Sequence, residues 1–216
     1  MKVLDKLIQE KGMLKHPFYQ SWNAGKLSIS ALQGYAKQYY KLESAFPRFL
    51  SAIHSHCDDR KARQLLVENM AEEELGESHA ELWLNFCSAL GVSRKDVLAA
   101  KSLPETKKAI NNFEKLSRIN HFSSGIAAMY AYESQIPEVA KTKINGLKKF
   151  YGITDEKGLK FFRVHEKADV WHSKNERKIL DKYQKNPKLK RQIFNSAKKA
   201  RDSLWLFLDG VYKNYC

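Results

Sequence analysis

Apolar residues recur at three- and four-residue spacing along nearly the whole chain. No stretch alternates with period two, and no Asn-Gly or Asp-Gly hairpin lies between apolar runs. That periodicity restricts the chain to an all-α architecture. Helices are expected over about residues 2–10 and His16–Asn23. A long one should run from Ser28-Ile-Ser30 to about His56, kinked at Pro47. Asp58 or Asp59 caps the next, which reaches Leu75 and stops at Gly76. Ser78 and Glu81 form a capping box for His79–Leu90, which Gly91 ends. A turn over Ser93–Ala99 follows, then a helix from Pro104 to about Ile119. Ser123 or Ser124 leads into another through Gln135, with Pro137 at a start or kink and Gly152 as a stop. Thr154–Tyr183 and Pro187–Tyr212 close a bundle of seven to nine helices in one domain, residues 1–216.

Composition narrows the class further. The three cysteines, Cys57, Cys87 and Cys216, are odd in number and far apart, which excludes a disulfide scaffold. The charged start and the absence of an 18-residue apolar run lead to a cytoplasmic reading, without a membrane. The net charge of +14 invites a nucleic-acid partner. Acidic residues interleave with the late lysines, however, so solvated basic helix faces are expected and no nucleic acid.

Ionisable residues on faces that should be buried carry the chemistry. On Ala62–Leu75 the positions Ala62, Leu65, Leu66, Asn69 and Met70 form one stripe. Glu73 lies near its centre, Glu72 at its edge, and Glu74 points away. His79 opens the next helix. Glu133 ends the nearly apolar run from Ala127, whose small residues Gly125, Ala127, Ala128 and Ala131 suit close packing. His165, Asp169 and His172 fall on one helix face at i, i+4 and i+7. Glu73 and Glu133 could each be helix-end glutamates in water, and the third group a polar surface cluster. Taken together, three carboxylates and three imidazoles from several helices suit two first-row metals.

Five segments extend this pattern. They are Met13-Leu-Lys-His-Pro-Phe-Tyr19, Leu32 to Tyr40, Ala45 to Ser55, Tyr130-Ala-Tyr-Glu-Ser-Gln-Ile-Pro137 and His165-Glu-Lys-Ala-Asp-Val-Trp-His172. With them the chain resembles the haem-oxygenase-like di-metal oxidases. Within these it resembles the family of the chlamydial protein associating with death domains, related to TenA-type thiaminases and the PQQ-synthesis oxidase. The resemblance implies a haem-oxygenase-like bundle without haem and a dinuclear iron or iron–manganese site using O2 and a reductant. It also implies 4-aminobenzoate synthesis for folate, with a tyrosine of the protein as ring source and a lysine as amino donor. Its metal ligands map to Glu73, His79, Glu133, His165, Asp169 and His172. Its tyrosines map to Tyr19, the sacrificial one, and to Tyr35 and Tyr132, and its lysine maps to Lys143. The loop before His79 is one residue short of the family's, so a Glu-x6-His spacing selects Glu72, whereas the helix facing selects Glu73. An oxidase of an external small molecule and a TenA-like cysteine hydrolase are the competing enzymes. A homodimer and a host death-domain partner, with export to a host cell, are further implications of the resemblance.

Overall fold

The computed structural model describes residues 2–119 and 121–216, and every regular element among them is helical. Helix α1 (Lys2–Glu10) buries Leu4 and Ile8. After a 3-10 turn, α2 (Pro17–Asn23) starts at Pro17 under the His16 ring, whose Nδ1 accepts from the Phe18 amide at 3.1 Å. The expected long helix is two: α3 (Ile29–Glu43), capped by Ser28, and α4 (Phe46–His54). Pro47 has no amide proton, and its ring would meet the carbonyl four residues earlier, at Glu43. The chain therefore breaks rather than kinks. The same event separates α9 (Phe122–Glu133) from α10 (Ile136–Phe150), four residues before Pro137.

Between these pairs lie α5 (Arg60–Glu74), capped by Asp59, α6 (His79–Ala89), capped by Ser78, α7 (Arg94–Ala99) and α8 (Pro104–Ser117). Gly76 and Gly91 take positive φ values of 68° and 77° where α5 and α6 stop, a conformation in which a Cβ is strained. Only half of the capping box forms: the Ser78 hydroxyl accepts from the Glu81 amide, while the Glu81 carboxylate pairs with Arg94. Neither Ser123 nor Ser124 caps α9. His121 does, and both serines are buried inside the helix. The closing helices are α11 (Glu156–Tyr183) and α12 (Pro187–Tyr215), the latter longer than expected.

Every residue of α9 is buried, as befits a helix apolar on all sides. It packs on α8, α11 and α12, and α11 packs also on α5, α6 and α10. The ends of α3, α5 and α9, the start of α6 and the middle of α11 thereby meet. Among the basic residues of α10, Lys141, Lys148 and Lys149 are exposed while Lys143 is buried. No helix among the described residues is long and apolar enough to cross a membrane.

Candidate metal centre

Five helices deliver ionisable side chains to one buried locus. Along α5 the buried positions are Ala62, Leu66, Asn69 and Glu73, one stripe of a 3.6-residue repeat, while Glu72 and Glu74 are exposed. The Gly76 turn and the Ser78 cap then bring His79 back, with Nδ1 2.9 Å from Glu73 Oε1. On α11, His165, Asp169 and His172 are all buried. Glu133, the last residue of α9, lies 3.6 Å from His172 Nδ1, and so does Asp169. All six expected residues thus converge, and the readings that placed them in water do not hold.

The donors fall into two groups. Glu133, Asp169 and His172 have donor atoms within 4.8 Å of one another, and so do Glu43, Glu73, His79 and His165. Glu43, the last residue of α3, was not expected from the sequence. Its signal was there: Glu43-Ser-Ala-Phe-Pro47 repeats the pattern of Glu133-Ser-Gln-Ile-Pro137. Asn69, already on the expected buried stripe, donates its Nδ2 to Glu133 Oε1 at 2.8 Å, and the buried Glu176 is a further carboxylate that nothing in the sequence marked. The two candidate glutamates take different places. Glu73 joins the buried group, while Glu72, 47% exposed, sits 3.2 Å from His172 Nε2 on the outer side. A carboxylate on the far nitrogen of an imidazole orients its other nitrogen inward. His165 is held likewise, its Nδ1 2.8 Å from the Phe161 carbonyl.

Burial pushes Glu43 and Glu73 well above the usual carboxylate range, and each is raised further by a neighbouring carboxylate. Burial raises Asp169 to about 7 against its hydrogen bond with His172. Burial also drives His165 well below its ordinary value. For His172 burial acts downward too, but the bonds to Asp169 and Glu133 outweigh it and hold the imidazole up at about 10. Glu43 Oε1, Glu133 Oε2 and Asp169 Oδ2 are buried without a hydrogen-bond partner. Unpaired buried polar atoms are costly. Unpaired carboxylate oxygens converging with imidazole nitrogens fit divalent first-row metal ions. The cavity lined by Glu43, Glu73, Glu133, His165 and Asp169, with Tyr132 at its wall, has a volume of about 10 Å³, room for roughly one water molecule.

A second cluster adjoins the first. Lys143 Nζ donates to the Tyr35 hydroxyl at 2.6 Å and lies 5.5, 5.0 and 4.9 Å from the ring centres of Tyr19, Tyr35 and Tyr39. The Tyr19 and Tyr35 hydroxyls are 3.4 Å apart. Burial lowers Lys143 to about 7 and raises both phenols. Tyr39, which the sequence reading did not single out, links the clusters. Its ring centre is 5.6 Å from that of Tyr35 and its hydroxyl hydrogen-bonds that of Tyr132.

Residues 2–213 match the TENA/THI-4/PQQC family. The chain is similar to a 4-aminobenzoate synthase of Nitrosomonas europaea, 39% identical over 223 residues covering 99% of this chain and 91% of the relative. It is similar also to a 4-aminobenzoate synthase of Chlamydia muridarum, 41% identical over 207 residues covering 95% and 87%. Its fold matches a solved domain from Shewanella denitrificans with a haem-oxygenase-like fold, at a TM-score of 0.84 and 18% identity over 99% of this chain and 90% of that one. The chain therefore belongs to the TENA/THI-4/PQQC family and adopts the haem-oxygenase-like fold.

Proposed function

We propose that this protein is an O2-dependent oxidase that makes 4-aminobenzoate for folate, with Tyr19 as the ring source and Lys143 as the amino donor. The activity named for its relatives supports the first part. The observation that carries the second is Lys143 itself, a fully buried amine against the rings of Tyr19 and Tyr35. Glu73, His79, Glu133, His165, Asp169 and His172 would hold two divalent ions, iron with iron or iron with manganese. Those ions, with a reductant, would supply the activation of O2.

The protein's own groups do the rest. Tyr132 borders the metal cavity, and Tyr39 continues from it to Tyr35. Burial keeps the Tyr19 phenol protonated, so oxidising it requires an acceptor for its proton. The Tyr35 hydroxyl is at hand, and beyond it the Lys143 nitrogen, which is neutral in a large fraction of molecules near pH 7. The same nitrogen, once it has passed that proton on, has the lone pair an amino donor needs. A cavity of about 10 Å³ favours a ring that is already inside. A cysteine hydrolase is disfavoured because burial raises the thiols of Cys57 and Cys87, the latter to about 12. The homodimer and the death-domain partner rest on the family resemblance alone.

The test is mass spectrometry of protein loaded with Fe(II) and Mn(II), before and after exposure to O2 and a reductant. The expected result is 4-aminobenzoate together with loss of the Tyr19 side chain. Nitrogen-labelled lysine in the protein should label the product. An intact Tyr19 peptide alongside consumption of an added small molecule would overturn the internal ring source.

A further inference from the structure

We propose that Glu43 is a fourth carboxylate of the metal centre, binding the ion held by Glu73, His79 and His165; the inference rests on the dinuclear reading above. Three independent features support it.

The first is local geometry. Glu43 has a donor atom within 4.8 Å of those of Glu73, His79 and His165. His165 has its Nδ1 engaged by the Phe161 carbonyl, which leaves Nε2 free, 4.0 Å from Glu43 Oε1. Glu43 Oε1 has no hydrogen-bond partner, and the residue is 4% exposed. Oxygen and nitrogen therefore face one another too far apart for a hydrogen bond, at a separation an ion between them would bridge.

The second is the setting that Glu43 shares with Glu133. Each is the last residue of its helix, followed by Ser and by a proline four positions on. The breaks use the same backbone bonds: Ser44 to the Tyr40 carbonyl at 2.9 Å and Ser134 to that of Tyr130 at 3.1 Å. Ala45 to Leu42 and Gln135 to Tyr132 are both 3.1 Å. A carboxylate at a helix C-terminus meets the negative end of the helix dipole, which disfavours it unless a cation is near. The chain builds this unfavourable arrangement twice, and both times aims it into the same cavity.

The third is charge. Glu73, Glu133 and Asp169 carry three negative charges when ionised, one short of two divalent ions. With Glu43 the charges of the ligand carboxylates and the two ions balance, which a low-dielectric interior favours.

Zinc alone serves as the probe, since it needs neither O2 nor a reductant. Metal-free wild-type protein is titrated calorimetrically beside Glu43→Gln, which keeps shape and removes charge. The wild type should take up two ions. The variant should bind one of them more weakly by at least roughly 10- to 100-fold, the loss seen when a residue that merely supports a metal ligand is removed, with helical circular dichroism and the other binding step retained. A crystal structure of the zinc-loaded wild type decides the matter even if the variant does not fold. A Glu43 oxygen at roughly 2.0–2.2 Å from an ion supports the proposal. Two ions bound with Glu43 outside that distance, or a variant with both steps unaltered, overturns this inference and leaves the dinuclear reading intact. A wild type that binds no ion overturns both.

Discussion

Lys143→Met exchanges a buried amine for a side chain of similar length that the core accommodates without charge. Lys143 is 3% exposed, and burial lowers it from 10.5 to about 7. Between those values the unfolded chain binds more protons than the folded one. The destabilisation is therefore fully present below the folded value and fades as pH rises toward the unfolded one. At about 1.4 kcal/mol per pH unit, it comes to about 4 kcal/mol at pH 7 and about 2 kcal/mol at pH 9. The variant also loses the 2.6 Å hydrogen bond to Tyr35, which costs about 1 kcal/mol. Net stabilisation is then about 3 kcal/mol at pH 7, falling to about 1 kcal/mol at pH 9. The corresponding rise in Tm at pH 7 is roughly 6–12 °C. Urea unfolding of metal-free wild type and variant at both pH values reads the difference, in which the titrating groups that do not feel Lys143 cancel, leaving its neighbours Glu43 and His165. The same variant should make no 4-aminobenzoate. A variant no more stable at pH 7, or a difference that does not shrink by pH 9, would falsify the reasoning: Lys143 would then be an ammonium, and no free amine would face Tyr19.

The amount of 4-aminobenzoate formed per protein should rise with pH and be half-maximal near 7, where Lys143 loses its proton; a yield flat between about pH 6 and 8 rejects the free-amine donor. Divalent metal at about 100 times its Kd should stabilise the chelated protein by about 2.7 kcal/mol per site, seen as a higher Tm, whereas an unchanged Tm means that Glu73, Glu133 and Asp169 hold no ion. Tyr39→Phe should bind metal as the wild type does but form less product, because the hydroxyl link to Tyr132 is cut; unchanged product yield removes Tyr39 from the path. Gly125→Ala places a Cβ 2.5 Å from Ile53 Cγ1, so chemical denaturation should show a loss of about 1–3 kcal/mol from overpacking between α9 and α4.

The amino-acid sequence by itself determined the helical class, most helix ends and the His165, Asp169 and His172 triple. All of these follow from interactions within a few residues: side-chain periodicity, a hydroxyl or carboxylate reaching a nearby amide, a proline without an amide proton. Facing on a single helix also put Glu73 nearer the buried side than Glu72, and in the structure Glu73 is buried and Glu72 exposed. Tertiary structure decided what depends on several helices at once. Glu43 does not stand out in the sequence because the expected helix runs on to about His56, past the break at which Glu43 lies, and its companions come from α5, α6 and α11. Tyr39 looked like any buried tyrosine until its hydroxyl met that of Tyr132, 93 positions away. Lys143 is one lysine in a basic run, and nothing in its neighbours says that it alone turns inward. Its place among the rings of Tyr19, Tyr35 and Tyr39, and with it the lowered proton affinity, exists only when α2, α3 and α10 pack together, because desolvation is a property of the surrounding volume and not of the chain.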